Sequence, residues 1–230
     1  AAAAADATAR EITDDLGRRV KLPPRIDRAV SLAPNLTEIV FAIDAGERLV
    51  GVTTYCNYPA AETEKIRKIG DTINTNREAI IALDPQVILV STASQIESFM
   101  RTLEERNIAV FVTNPQDVEG VYRGIFQLGE IFGKSDRARE TIDKLKRRVA
   151  HVEAQTNSAK KTRVFVQFSQ EPLFTIGKSS FVTDLINRAG GVSVTADIAE
   201  AYPKFSKETA LALQPEAIIL SDSEDNRAPN

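Results

Sequence analysis

The sequence predicts an α/β protein of two Rossmann-like lobes bridged by a long helix, with a ligand cleft between the lobes. Three observations predict it. Short apolar strands alternate with amphipathic helices from Val30 to Val112. From Asp117 to Thr156 strand signals stop and only helical spacing remains. Residues 77–91, REAIIALDPQVILVS, return at 207–221 as KETALALQPEAIILS. Strands alternating with helices imply a mostly parallel sheet covered on both faces. A helix–proline–strand unit that recurs implies a second lobe of the same kind.

Taken in order, Val30-Ser31-Leu32 reads as a short buried strand broken by Pro34. Asn35 and Glu38 have the spacing of a capping box opening a helix through Ile43. Gly46 ends that helix, and Leu49 to Thr53 is the next strand. A helix ending at Leu83 meets Pro85, and Val87 to Ser91 follows as a strand. Ser94 to Arg106 carries Ile96, Phe99 and Leu103 on one helical face. Ala109 to Val112 is a further strand. Val121, Ile125, Leu128, Ile131 and Phe132 then recur at helical spacing up to Gly133. A second helix runs from Asp136 to about Gln155, with Ile142, Leu145, Val149 and Val152 along one stripe. About 20 residues of helix span about 30 Å, enough to bridge two small lobes. After the polar hinge 157–161, Val164 to Phe168 reopens the strand pattern. Phe181 to Ala189 is a helix stopped by Gly190-Gly191, with a strand at Val192 to Val194 and another at Ala217 to Leu220.

These signals divide the chain into a disordered leader (1–9), an N-terminal α/β lobe (10–114), a helical linker with the bridging helix (115–157) and a C-terminal α/β lobe (158–230). The leader AAAAADATA has neither the basic nor the apolar region of an intact signal peptide.

Composition narrows the chemistry. The chain has 230 residues, a formal net charge of −3, one cysteine, one histidine and no tryptophan. That charge argues against a broad nucleic-acid surface. A lone cysteine excludes intrachain disulfides and cysteine-based zinc cages. A lone imidazole disfavours bare transition-metal capture and most acid–base catalysis. Gly133-Lys134-Ser135 and Gly177-Lys178-Ser179 imitate a phosphate loop, but the earlier glycine of that motif is replaced by Leu128 and Pro172. His151, among charged neighbours in the linker helix, reads as a solvated side chain. Cys56 reads as a structural thiol, with a soft axial ligand to a bound metal complex as the alternative.

The aromatic residues are more informative. Tyr55 and Tyr58 follow the second strand. Phe168 and Phe174 lie at and beyond the first strand of the second lobe, and Tyr202 and Phe205 precede its next helix. Aromatic walls suit a large, flat, partly apolar ligand. For Phe168 and Phe174 core packing competes evenly with ligand contact; for Tyr55 and Tyr202 ligand contact is favoured. Asn57, Asn74, Asn76 and Gln170 are candidate hydrogen-bonding groups. Lys178, Lys204 and Arg77 are the available cations for an anionic ligand.

Three stretches together, SLAPNLTEIVFAIDAGERLVGVTTYCNYP, EAIIALDPQVILV and RVFVQFSQEPLFTIGKSSFVTDLINRAGG, resemble the class III periplasmic substrate-binding proteins of ABC importers. The resemblance covers roughly residues 10–230. It implies two α/β lobes joined by one long helix, a periplasmic or otherwise extracytoplasmic location, and capture of a metal complex. Cobalamin is the first ligand it implies, with haem or a ferric siderophore as alternatives. Its partner would be an importer permease in the cytoplasmic membrane. Carried onto this chain, Tyr55 matches the family's loop tyrosine on the corrinoid face and Phe168 its second-lobe aromatic. Thr72 and Tyr202 fall where cobalamin binders have tryptophans. With Asn57, these are the expected ligand-binding residues. Glu78 and Glu208, already paired by the internal repeat, match the glutamates that dock on the permease. No catalytic residue and no protein-bound metal is expected. The competing class, a chelatase-like enzyme acting on a tetrapyrrole, would have only tyrosines, Cys56 or a carboxylate for proton chemistry. The family's second lobe is longer, so residues 158–230 read as a shortened one.

Overall fold

A computed structural model describes residues 10–72, 74–92 and 97–221. The expected leader, Ser94 and Ile96 of the expected fourth helix, and residues 222–230 lie outside the described residues.

The chain forms two compact units. The first comprises Ala1–Asn114 and Tyr122–Asp143, the second Pro115–Val121 and Lys144–Asn230. The first unit begins with an antiparallel hairpin, β1 (Arg10–Thr13) and β2 (Arg19–Leu22). Then follow β3 (Ala29–Ser31), α1 (Pro34–Ala42), β4 (Leu49–Val52), α2 (Ala60–Thr63), β5 (Arg67–Lys68), α3 (Arg77–Ala82), β6 (Val87–Ser91), α4 (Glu97–Glu105) and β7 (Ala109–Thr113). The main sheet has the order β5-β4-β3-β6-β7 and every pair in it is parallel. Val30, Leu32, Ile80, Ile88, Val90 and Leu103 are fully or almost fully buried on one side of it. Leu89 and Phe111, one position out of phase, are buried as well. Period-two alternation with both sets buried is what helices on both faces of a sheet require.

Two helices leave this unit and continue into the other: α5 (Val118–Phe132) and α6 (Ser135–Thr156). At 22 residues α6 is about 33 Å long. Between them Gly133 takes φ +66°, and the Lys134 amide donates back to the Gly129 carbonyl at 2.7 Å. That is a left-handed helix stop, which favours glycine.

The second unit contains β8 (Thr162–Gln167), β9 (Ser169–Gln170), β10 (Leu173–Phe174), α7 (Phe181–Arg188), β11 (Gly191–Ser193), α8 (Lys207–Ala212) and β12 (Ala217–Leu220). Its parallel sheet has the order β11-β8-β12. Val164 and Val166 pack with Ile176 and Ile186 on one face, and Phe165 packs with Leu173 and Ala210 on the other. On β12, Ile218, Ile219 and Leu220 are about half-exposed.

The structure departs from the sequence reading at a few local points. Helix α1 is capped by Ala33, without any side-chain bond, and starts at Pro34. Proline suits that first position, since its ring presets φ and the absent N–H would have had no helical partner. Asn35 therefore lies inside the helix, not at its cap. The two hairpins and the single-turn α2 carried no signal, because strands of two to four residues show too little periodicity to register.

Candidate ligand-binding site

In open parallel sheets, ligands bind at the carboxyl ends of the strands, where the strand order reverses. In the first unit the order reverses at β3, flanked by β4 and β6. In the second it reverses at β8, flanked by β11 and β12. The aromatic candidates lie beyond β4 and β8.

In the first unit, residues 53–58 leave the end of β4. Tyr55 and Tyr58 are 60% and 66% exposed, and Asn57 between them is exposed too. Cys56 is 1% exposed. Its sulfur lies 3.2 Å from the Oγ1 atoms of both Thr37 and Thr53. Thr37 also donates to the Ser31 hydroxyl at 2.9 Å. The thiol and Thr53 thus close a buried polar cluster under a loop that turns Thr54, Tyr55, Asn57 and Tyr58 outward. The Thr54 amide donates to the Gly70 carbonyl at 2.9 Å, which ties this loop to the one carrying Thr72. Gly70 has φ +96°, and a Cβ there would fall 2.4 Å from the Asn74 carbonyl oxygen. Only glycine makes that turn without strain. Thr72 itself is half-buried.

In the second unit, Phe168 stands at the end of β8. It is half-buried against the Val164–Val166 face, and its ring meets Tyr202 edge-on, centroids 5.4 Å apart at 77°. Phe168 thus packs its base on the core and carries the ring of an exposed tyrosine on its edge. Tyr202 is 54% exposed. Its loop is strapped to the segment after β10 by four bonds. Thr175 N donates to Pro203 O at 3.1 Å, Gly177 N to Ala201 O at 2.9 Å, Lys178 N to Ile198 O at 2.7 Å and Ser179 Oγ to Ala199 O at 3.1 Å.

Other candidates are structural. Phe205 packs on the Phe165–Leu173 cluster, with its ring 6.0 Å from Phe165. Phe174 is half-buried and paired with Ser169 in the β9–β10 ladder. Asn76 caps α3, its Oδ1 accepting from the Ala79 amide at 2.9 Å. The Asn74 side-chain amide donates to Asp71. Arg77 stacks on the Phe99 ring, 5.2 Å from its centroid. His151 is exposed on α6. Among the described residues no group of three His, Cys, Asp or Glu side chains could hold a metal ion.

Glu78 and Glu208 occupy matching places. Each is exposed in the first turn of a six-residue helix, α3 or α8, whose cap is a polar side chain, Asn76 or Ser206. Neither has an ion-pair partner among the described residues. Sequence reasoning missed the strap at Gly177 and the bond from the Lys68 ammonium to the Cys56 carbonyl at 2.7 Å; both act through backbone atoms, which leave no mark in side-chain patterns.

The model of the periplasmic binding protein family matches residues 30–230. The chain belongs to this family. The vitamin B12-binding protein of Salmonella typhimurium is 32% identical over 194 residues, 84% of this chain and 72% of that protein. Among solved structures, the periplasmic vitamin B12-binding protein BtuF of Vibrio cholerae is 25% identical with a TM-score of 0.76, covering 86% of this chain and 77% of that one. A periplasmic haem-binding protein from Pseudomonas aeruginosa is also 25% identical, with a TM-score of 0.75 and coverage of 85% and 71%. The chain is thus a class III substrate-binding protein of ABC importers, near BtuF in sequence and fold, and not an enzyme. Among the described residues no helix is long and apolar enough to cross a membrane.

Proposed function

We propose that this periplasmic binding protein captures a corrinoid, cobalamin in the first instance, outside the cytoplasmic membrane and delivers it to the permease of an ABC importer. The observation that carries the reading is the placement of exposed tyrosines at strand carboxyl ends in both units: Tyr55 beyond β4, and Tyr202 against Phe168 beyond β8. Flat aromatic surfaces with few charges suit a macrocycle that is apolar in its faces and polar at its rim. Asn57 and Thr72 supply hydrogen bonds beside Tyr55. A corrinoid brings its own axial ligand to cobalt, so the scarcity of imidazoles is no obstacle. The likeness to vitamin B12-binding relatives supports the same ligand.

Haem is the second reading. A tyrosine can serve as its axial ligand, and Tyr55 and Tyr202 are exposed; the likeness to a haem-binding structure adds to it. A ferric siderophore is favoured less, since an anionic ligand calls for several cations and, of the three candidates Lys178, Lys204 and Arg77, the last stacks on Phe99. Glu78 and Glu208 are the proposed docking carboxylates. Two exposed charges, one per unit, orient a complex and raise its on-rate more than they add affinity.

Calorimetric titration with cyanocobalamin, haemin and a ferric siderophore tests the reading. One-to-one binding of cyanocobalamin, tighter than the other two, is expected. Preference for haemin, with the absorption bands of a tyrosine-ligated iron, would replace the first reading by the second.

A further inference from the structure

We infer that Lys68 is a positioning residue that holds the Tyr55–Tyr58 loop in a ligand-ready shape; this deepens the proposed function and rests on that loop contacting ligand. The Lys68 ammonium donates to the main-chain carbonyl of Cys56 at 2.7 Å. Lys68 lies on β5, the edge strand of the sheet, and is exposed. Nothing in the packing of β5 requires an ammonium group there. What it reaches is the one residue of the loop that is buried.

Cys56 is held on all its polar groups. Its amide donates to Thr53 O at 3.1 Å, its sulfur sits between two threonine hydroxyls, and its carbonyl takes the lysine. A carbonyl in a tight loop has no ladder partner of its own, and a charged donor makes the stronger kind of bond to it. The threonine contacts fix the side chain inward. The lysine fixes the peptide plane that follows, and that plane sets where Asn57 and Tyr58 point. Tyr55, Asn57 and Tyr58 are therefore presented by a loop whose pivot is clamped from below by Thr37 and from the side by Lys68. Ordering a loop before binding removes an entropic cost from the binding step.

The sole cysteine of the chain reports on this clamp directly. In ligand-free protein, Lys68→Met should raise the rate at which Ellman's reagent modifies Cys56 by roughly tenfold, the factor expected when one charged hydrogen bond no longer closes the loop. Lys68→Arg should restore the slow rate. The melting temperature should fall by no more than about 5 °C, the shift that one bond worth a factor of ten gives in a chain of this size, so the variant stays folded at the temperature of the assay. Affinity for cyanocobalamin should fall several-fold in Lys68→Met and recover in Lys68→Arg. An unchanged thiol rate in Lys68→Met overturns the inference. So does a raised thiol rate with unchanged cyanocobalamin affinity, since the loop would then be clamped for another reason. If wild-type protein binds no cyanocobalamin, the proposed function fails, and the thiol rate of the ligand-free variants alone decides the clamp.

Discussion

Arg28 and Arg163 make the same contact in the two units. Each turns its guanidinium onto the carbonyls that end a six-residue helix: Arg28 onto Leu83 and Asp84, Arg163 onto Leu213 and Gln214. Each also donates its backbone amide to the side chain after the proline, Gln86 or Glu216, at 3.0 and 2.9 Å. The residue before each proline takes a left-handed conformation, φ 45° at Asp84 and 47° at Gln214. The repeat seen in the sequence is thus a repeated structural device, an arginine satisfying the last orphan carbonyls of a short helix. Arg28→Ala and Arg163→Ala should each destabilise the protein by about 1 kcal/mol, and the double variant by about the sum. Urea unfolding measures this.

Gly177 sits where no side chain has room. A Cβ there would come 1.9 Å from the Glu200 carbonyl oxygen and 2.6 Å from that of Ile198. Gly177→Ala must push the strap away and carry Tyr202 with it. A loss of about 1–3 kcal/mol in stability is expected, as for other overpacked sites, together with weaker ligand binding. Gly124→Ala is the control: it lies within α5 with nothing within 4 Å of the added carbon, and should stabilise by about 0.5–1 kcal/mol. Thermal melts of the two variants should move in opposite directions.

Glu216 gives the second unit a definite acid response. The hydrogen bond from Lys160 at 2.8 Å, helped by the Arg163 backbone amide, holds its carboxyl below the usual range. A carboxyl lowered on folding contributes stability above its unfolded value and loses it as pH falls through its folded value. The contribution of Glu216 should therefore be complete above about pH 5 and fade below about pH 4. Glu216→Gln should melt lower than wild type at neutral pH, and the two curves should converge on acidification.

Glu78 and Glu208 should be separable from ligand capture. Glu78→Gln and Glu208→Gln should leave cyanocobalamin affinity and melting temperature unchanged, since both are exposed and have no ion-pair partner among the described residues. In membranes containing the cognate importer, uptake should fall several-fold for each and further for the pair. Equal losses of binding and uptake would place these carboxylates at the ligand instead.

The strands β3, β4, β6, β7 and β8 and the long helices were legible because burial imposes a period on many residues at once: Val164, Phe165 and Val166 alternate between two packed faces. The helix–proline–strand repeat was legible for the same reason. The capping box was misread because Pro34 competes for the helix start and wins. The loops were legible only in outline. Tyr55 and Tyr202 could be singled out as aromatics at strand ends, yet whether Asn76 faced a ligand or a helix end depended on three residues of local geometry, and it went to the cap. Phe174 and Phe205 went to the ladder and the core. The lysine clamp on Cys56 and the strap on Gly177 act on backbone carbonyls, for which sequence has no letter.

The most direct test of the account is a cyanocobalamin titration of wild-type protein beside Tyr202→Ala and Tyr55→Ala, with melting temperatures measured in parallel. The account predicts one-to-one binding, weakened roughly tenfold in each variant at unchanged stability. Wild-type binding that neither substitution alters would contradict it, because the ligand would then lie away from both aromatic loops.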